Sequence, residues 1–557
     1  MDKIRIVLWG AVGVLLWLNL ITWQRDYPPV ASVAESAATP TVAPTTVPTL
    51  PVTSSSSASV ETVAAEAQPQ LQTTIDAAPV AVGSKIHVVT DVLDLDIHTQ
   101  GGDIVRADLL KYAVTQEQPN TKVQLLSEEQ GRLFIARSGL ATSATAAPIY
   151  SSTASEFRLA DGQNELTIPL SYTSPEGVTL TKTFTLKRGS YTLDVAYTIN
   201  NNSAAAWQGA SYVQLFRHDL PVKYSMLDAS TIAYRGPAIY NGQAYRKLKV
   251  TDSEDSNYKA NTTGGWMAAL QHYFVVAAVP AQGQAYDYSL KVDSNHNYTL
   301  TYQGPLQTVA AGATSQLKET LFIGPKLQEQ LAAAGPELNR TTDYGKLYII
   351  AKPLFVVLEF VHQYVSNWGI AIVLTTLLIK LAFYRLTASS GRSMAKMRTL
   401  APKMKSIQER YKDDREALGR ATMELYKKEK INPVAGCLPM LIQIPFFMGF
   451  YWVLLESVEL RQAPFFAWIT DLSNRDPYFI LPLIMGAANF AQFKMNPPPA
   501  DPTQAKIMAF MPIMMTVMMA WFPSGLVLYW ITNTVMSALQ QWRINTLVAA
   551  DSKHHTA

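Results

Sequence analysis

Five apolar runs crowd into the chain after residue 345, and they constrain its fold more than any other feature. They are Trp368–Leu386, Pro433–Leu455, Phe479–Phe493, Ile507–Phe522 and a run that begins at Leu526 and reaches Ala538. Each approaches the roughly 20 apolar residues a helix needs to cross a bilayer, Phe479–Phe493 being the marginal one. Hydrocarbon offers no partner to a bare peptide group, so such runs must be helical. An α-helical membrane core of five spans follows. A further apolar run, Ile6 to Trp23, sits at the start behind Lys3 and Arg5. Gln24-Arg25-Asp26-Tyr27-Pro28 offers no small-residue cleavage site directly after it. Residues 1–24 therefore read as an uncleaved anchor helix, the alternative being a signal peptide cut further on, near Ala31.

Charge orients these helices. The net charge of +3 hides two opposed regions. Arg25 to Asp343 holds 22 Lys/Arg against 29 Asp/Glu, whereas Arg385 to Lys430 holds 13 against 6. The basic segment belongs in the cytoplasm by the positive-inside rule, and so do Lys3 and Arg5. Two separate signals thus agree on both termini inside and the acidic region outside. A nucleic-acid binder is disfavoured, since the basic surplus is confined between apolar runs. The single cysteine, Cys437, excludes a disulfide scaffold.

Residues 25–83 are rich in Ala, Pro, Ser, Thr and Val and read as a tether with too little large apolar surface to order itself. Over residues 84–343 the hydrophobic period becomes two. Leu93-Asp94-Leu95-Asp96-Ile97 alternates before Gly101-Gly102, and so does Glu165 to Tyr172. Val178–Leu186 and Tyr191–Ile199 flank Lys187-Arg188-Gly189-Ser190 as a hairpin, and Tyr288–Tyr302 reads as another pair around Asp293-Ser294-Asn295. This predicts an all-β sandwich. Its histidines have no metal-ligand spacing, and Asp94 and Asp96 read as a solvated strand face. No metal or cofactor is expected.

Residues 344–366 carry a 3.6 period and predict an amphipathic helix on the membrane surface; the alternative is the first part of one long spanning helix. In the basic segment, residues 390–431, Met397, Leu400, Met404, Ile407 and Tyr411 form one stripe and Leu418, Ala421 and Leu425 a second, separated by Lys412-Asp413-Asp414. This predicts a helical hairpin with Asp capping its second arm. Its charge is either a topology signal alone or a docking face for something acidic, such as ribosomal RNA or lipid headgroups.

Polar residues inside apolar spans are the strongest functional pointers. Lys380 follows eleven uncharged residues and lies one to two turns from Arg385. Either it snorkels to the cytoplasmic interface or it is a cation in a water-filled cavity. Thr375 and Thr376 lie one turn away. Gln443, Asn489, Gln492 and Asn533 either line the same cavity or make ordinary interhelical hydrogen bonds. The run Ile507–Phe522 carries Met508, Met511, Met514, Met515, Met518 and Met519. Flexible thioethers suit a surface that accommodates varied apolar segments, and they also serve as lipid-facing filler.

The wording of several segments completes the picture: Thr90-Asp91-Val92-Leu93-Asp94-Leu95, Gln100-Gly101-Gly102-Asp103, Thr181-Lys182-Thr183-Phe184, Asn367-Trp368-Gly369, Met394-Ala395-Lys396-Met397, Ser457-Val458-Glu459-Leu460-Arg461-Gln462-Ala463-Pro464, and Trp521–Gly525 continuing to Tyr529. On these the chain resembles the YidC family of Gram-negative inner-membrane insertases over all but the tether and the last residues. The resemblance implies a periplasmic β-super-sandwich of galactose-mutarotase type without sugar chemistry. It also implies a helical core (residues 367–546) with a hydrophilic groove, open to cytoplasm and lipid, and a cytoplasmic tail over 547–557. It implies a non-enzymatic insertase and chaperone acting on nascent membrane proteins, with the ribosome, the Sec translocon and the lipid bilayer as partners. Carried over residue by residue, the groove cation usually found as arginine is Lys380, a point charge without the planar donor fork. Thr376 matches a position that meets incoming segments, and Tyr529-Trp530 stands where relatives have a Tyr-Tyr pair. Arg385 stands where relatives usually have proline. Gln443, Asn533 and Met515 complete the expected groove set. The rivals are a transporter, which would show an internal repeat, and a membrane-anchored sugar enzyme, which would need an acid/base pair in the β region; neither feature is visible.

Overall fold

The computed structural model describes residues 84–142, 147–219, 233–295, 297–411, 414–429, 434–495 and 502–554. The expected anchor (1–24), the tether (25–83), the break at Lys412-Asp413 and the Pro497–Pro499 turn lie outside the described residues.

Alternation does produce a sandwich. Among the described residues there are two largely antiparallel sheets, of 11 and nine strands. In the first, Trp207–His218 pairs with Phe134–Ala141 on one side and Asn297–Gln303 on the other. In the second, Thr314–Pro325 lies between Thr192–Asn201 and Phe274–Pro280. Inward residues of both sheets, among them Leu95, Ile97, Phe184, Val195, Leu300 and Phe322, share one core. Both predicted hairpins form: Val178 pairs with Asn201 and Leu186 with Leu193, and Val292 pairs with Tyr298. Gly189 sits in the first turn at φ +73°, and its N–H donates to both carboxylate oxygens of Asp91.

The Gly101-Gly102 turn has a purpose invisible in the local pattern. Both residues have positive φ, and their carbonyls accept from the Lys182 ammonium at 3.1 and 2.8 Å; Ser138 O accepts a third bond at 2.7 Å. A Cβ on Gly102 would lie 2.9 Å from the lysine side chain. Lys182 is fully buried, with its ammonium over Phe184 and Tyr197. Nearby, Tyr197 donates to Oε2 of buried Glu319 at 3.5 Å, while Oε1 has no hydrogen-bond partner among the described residues.

Burial pushes Lys182 down to about 8 and Glu319 up to about 8. Glu319 keeps its proton in the fold while the unfolded chain has lost it. Its contribution to stability is therefore present below 4.5 and is lost as pH rises to about 8. Lys182 acts oppositely, its contribution returning as pH rises from about 8 to 10.5. The cluster is thus expected to be least favourable near pH 8. Glu319→Gln should remove the falling limb, checked by thermal unfolding of the β signal across that range.

The chain leaves the sandwich through α1 (Gln328–Ala334) and enters the helical region. α2 (Tyr348–Val365) is a separate helix: Ser366 turns left-handed at φ 51°, and the Asn367 side chain caps α3 (Trp368–Ala382) by accepting from Ile370 N–H at 3.0 Å. Residues 348–365 and α3 therefore do not form one continuous helix. The break also accounts for Asn367-Trp368-Gly369, since a Cβ on Gly369 would lie 2.0 Å from the Phe465 ring. The expected straight run from Trp368 to Leu386 is corrected. α3 ends at Phe383, and α4 (Tyr384–Thr399) leaves it at 71°. No proline makes this bend; the Thr387 hydroxyl takes the Phe383 carbonyl at 3.0 Å.

The first arm of the basic hairpin is also broken, at Leu400, where α5 (Ala401–Arg410) starts with Pro402 in its first turn. Proline has no N–H for the preceding helix to use and is pre-organised to begin a new one. α6 (Arg415–Lys428) is capped by Asp414, which accepts from Glu416 and Ala417 N–H groups at 3.0 and 2.9 Å, and Lys403 joins the arms through Glu429 at 2.7 Å. The remaining helices are α7 (Val434–Glu456), α8 (Ile480–Met495), α9 (Pro502–Met519) and α10 (Ser524–His554). α10 far outruns the predicted run to Ala538, its 31 residues spanning ~46 Å. Among the described residues no single helix is long and apolar enough to cross a membrane; the bent pair α3–α4 passes that test together.

Candidate functional site

The helices α3, α7, α8, α9 and α10 enclose a common apolar core that includes Ile372, Phe450, Leu454, Met485, Met519 and Leu528. Polar side chains gather along one seam of it, where α10 faces α3 and α4. Asn533, Ser537, Gln540 and Gln541 are spaced to share one side of α10. Lys380 donates from Nζ to Ser537 Oγ at 2.7 Å, and Ser537 in turn donates to Asn533 O at 2.7 Å. A turn or two further on, Gln540 Nε2 donates to Thr387 Oγ1 at 3.0 Å and Gln541 Nε2 to Gly391 O at 3.3 Å. Gly391 allows the helices to approach this closely; a Cβ there would lie 2.7 Å from Ile544.

The expected site residues divide around this seam. Lys380 and Asn533 lie in it. Thr376 is 1 % exposed and donates to Ile372 O at 2.7 Å, so its hydroxyl is turned into its own helix; buried Thr375 Oγ1 has no hydrogen-bond partner among the described residues. Asn489 lies on a second polar contact, accepting from Trp530 Nε1 at 3.3 Å and Thr534 Oγ1 at 3.2 Å. Tyr529 is 3 % exposed and stacks on Phe450 with centroids 4.7 Å apart, and Trp530 meets Phe447 edge-on at 4.8 Å. Tyr529 is therefore part of the packed wall, and Trp530, half-buried, is the aromatic nearer the surface. Gln443 and Met515 are half-buried on α7 and α9. Met515 packs against the core, while Ile507, Phe510, Met511, Met514 and Met518 are exposed along the outside of α9.

Ser537, Thr387, Gln540 and Gln541 escape the sequence reading. The stripe Asn533-Ser537-Gln540 was available as a signal, but the apolar run ends at Ala538, and hydropathy stops where the polar seam continues.

An ammonium offers three donors, and Ser537 accounts for one of them. Among the described residues the seam therefore presents a cation with donors beyond the one given to Ser537, a hydroxyl and two amides within otherwise apolar helices. Such a set can hydrate carbonyls or anionic groups without covalent chemistry.

The β domain also holds a cluster of charged side chains around His87. Strand pairing sets His87 opposite Asp96, with Nδ1 at 2.9 Å from its carboxylate and 3.6 Å from that of Asp94. Arg106 bonds Asp94 and Asp96 at 3.3 and 3.4 Å and also Asp108. Arg106 thus shares one positive charge among three carboxylates, so the partly exposed face expected for Asp94 and Asp96 is also ion-paired.

A sandwich followed by an apolar helical core with a cationic polar seam fits the class of membrane proteins that carry a large β domain. Comparisons with known proteins agree. Residues 85–357 match the family model for the YidC periplasmic domain, and residues 360–551 match that for the 60Kd inner membrane protein. A membrane protein insertase YidC from Pseudomonas putida (strain W619) is 43 % identical over all of both chains. Among solved structures, an active YidC insertase with its first transmembrane domain resolved aligns with 83 % of this chain and 92 % of its own, at 18 % identity and TM-score 0.37. A galactose mutarotase-like protein from Lactobacillus casei aligns with 43 % of this chain and 99 % of its own, at 11 % identity and TM-score 0.28. The chain belongs to the YidC family of membrane protein insertases.

Proposed function

We propose that this insertase works through the seam between α3, α4 and α10. It acts as a hydrophilic groove that shelters the polar flank of an incoming segment while its apolar part moves into lipid. The observation that carries this is Lys380, held 2.7 Å from Ser537 inside an apolar helix pair, with Ser537 its one hydrogen-bond partner among the described residues. Each unsatisfied polar group in bare hydrocarbon costs several kcal/mol, and the groove removes that cost. Transfer of the apolar part supplies the drive, about 25 cal/mol per Å² removed from water. Neither a nucleotide nor a covalent step is needed.

The same reading places α2 at the membrane surface, residues 1–24 as an anchor, and the bent α3–α4 pair, α7, α8, α9 and α10 as five spans with both termini cytoplasmic. The hairpin α5–α6, with its basic surface, is suited to the ribosome. The groove would serve nascent membrane proteins alone or beside the Sec translocon, also as a chaperone. On the same reading the domain limits are 1–24, 25–83, 84–343, 344–366, 367–546 with the hairpin at 390–431, and 547–557.

The test is insertion of a small single-span client with a short polar flank into liposomes, with and without the purified protein. Equal insertion in its absence would sink the proposal. A photo-crosslinker replacing Trp530 should capture the client, whereas one replacing buried Phe450 should not; equal capture at both would show that the segment takes another route.

A further inference from the structure

Trp530, the half-buried aromatic of α10, is held from two other helices at once. Its Nε1–H donates to Asn489 Oδ1 on α8 at 3.3 Å, and its ring meets Phe447 on α7 at 90°, with centroids 4.8 Å apart. Asn489 lies one turn beyond Met485, which is fully buried, so it falls on the inward side of α8. Leu483, Ile484 and Phe490 are exposed on the outward side.

Thr534, one turn along α10 from Trp530 and 3 % exposed, gives its hydroxyl proton to the same Oδ1 at 3.2 Å. This departs from the habit of the neighbouring hydroxyls. Thr376, Thr516, Thr532 and Ser537 donate to the carbonyl four residues back in their own helices, at 2.7, 2.7, 2.9 and 2.7 Å. That local bond is open to any helical Ser or Thr, and Thr534 takes Asn489 instead. Trp530 has no local bond to fall back on. Its N–H sits at a fixed corner of a rigid bicycle, and the carbonyls of its own helix are engaged in helix bonds. An N–H without an acceptor is costly among apolar helices, so the ring plane follows the acceptor. A carbonyl oxygen has two lone pairs, and α10 supplies a donor for each. Thr534 alone would suffice to tie α8 to α10. The second bond goes to the one aromatic of this wall that is near the surface, which is where orientation matters.

We propose that Asn489 is a positioning residue of the groove: it fixes the plane of the Trp530 indole, and so the face that an incoming apolar segment slides along. This rests on the groove reading above.

The test uses the full chain in nanodiscs and liposomes, with a single-span client carrying a photo-reactive diazirine side chain in its apolar segment. Asn489→Leu removes the acceptor at nearly constant volume. The indole N–H resonance of Trp530, assigned by its loss in Trp530→Phe, should move upfield and its proton exchange faster. Client attachment at Trp530, mapped by mass spectrometry, should fall about threefold per folded molecule, the size of an average interhelical hydrogen bond in lipid. The insertion rate should fall in parallel. Asn489→Asp keeps an acceptor oxygen in either protonation state and should restore both. In a Trp530→Phe background Asn489→Leu should cost no further insertion. Should Asn489→Leu not accumulate, Asn489→Ala serves at this half-buried position with the same expectations.

An unmoved indole resonance would overturn the proposal. So would a moved resonance with wild-type attachment and insertion, since the bond would then only join helices, and so would an equal loss in the Trp530→Phe background. A wild-type chain that inserts nothing would instead refute the groove reading, while the resonance still reports on the bond.

Discussion

Lys380→Glu is expected to cut client insertion by roughly tenfold or more, a differential of at least about 1.4 kcal/mol. The reason lies in who donates to whom. Ser537 has given its only proton to Asn533 O and offers Lys380 a lone pair. A carboxylate there would face that lone pair with no donor, and an unpaired charge among packed helices is strongly unfavourable. It would also invert the sign presented to an incoming chain. Lys380→Ala removes the charge and leaves only Ser537 without its donor, so a several-fold loss is expected. Lys380→Arg keeps the cation and should retain most activity. The measurement is the insertion rate into liposomes at equal amounts of folded protein. If the Glu and Ala variants both match wild type, the ammonium merely snorkels, and the groove must work without it.

The second large effect is expected at Phe450. Its ring is fully buried and lies nearly parallel to Tyr529, 4.7 Å away at 15°. Phe450→Ala should destabilise the helical core by about 3–5 kcal/mol, the usual range for emptying a buried aromatic site. About 0.5–1.5 kcal/mol of that would be ring–ring geometry, which Phe450→Leu also forfeits while refilling much of the volume. Thermal unfolding in detergent, followed by tryptophan fluorescence, should rank wild type above Leu above Ala. An Ala variant as stable as wild type would mean that α7 and α10 do not depend on this contact for their register. Because Phe450 and Tyr529 form the wall behind Trp530, the Ala variant should also weaken capture by a crosslinker at position 530.

Several features were legible in the residue order for definite reasons. Alternation along Val178–Leu186 and Tyr191–Ile199 required two strands, and Arg188-Gly189 between them required a turn, so the hairpin could be drawn with its ends nearly right. Asp414 after a break in apolar periodicity was readable as a helix cap. Lys380 stood out because a cation among eleven uncharged residues has few explanations. The bend at Phe383 was not readable, as nothing in Ala382-Phe383-Tyr384 breaks a helix by itself; packing against other helices sets the angle. The break at Leu400 could have been read from Pro402, but the regular stripe from Met397 to Tyr411 argued for continuity and outweighed it.

What the sequence determined alone is what depends on near neighbours: the apolar runs and their helical form, the strand period, the charge asymmetry along the chain, and the motifs that mark its family. What only the tertiary structure decided is which faces meet. Gly101 and Gly102 accept the ammonium of Lys182, His87 meets Asp96, Lys326 meets Glu456, and Lys380 finds Ser537 across 157 positions. Periodicity states which side of an element is buried but not what is buried against it. The partner is chosen when whole elements pack, and the energies of these buried polar contacts depend on partners that no local window contains.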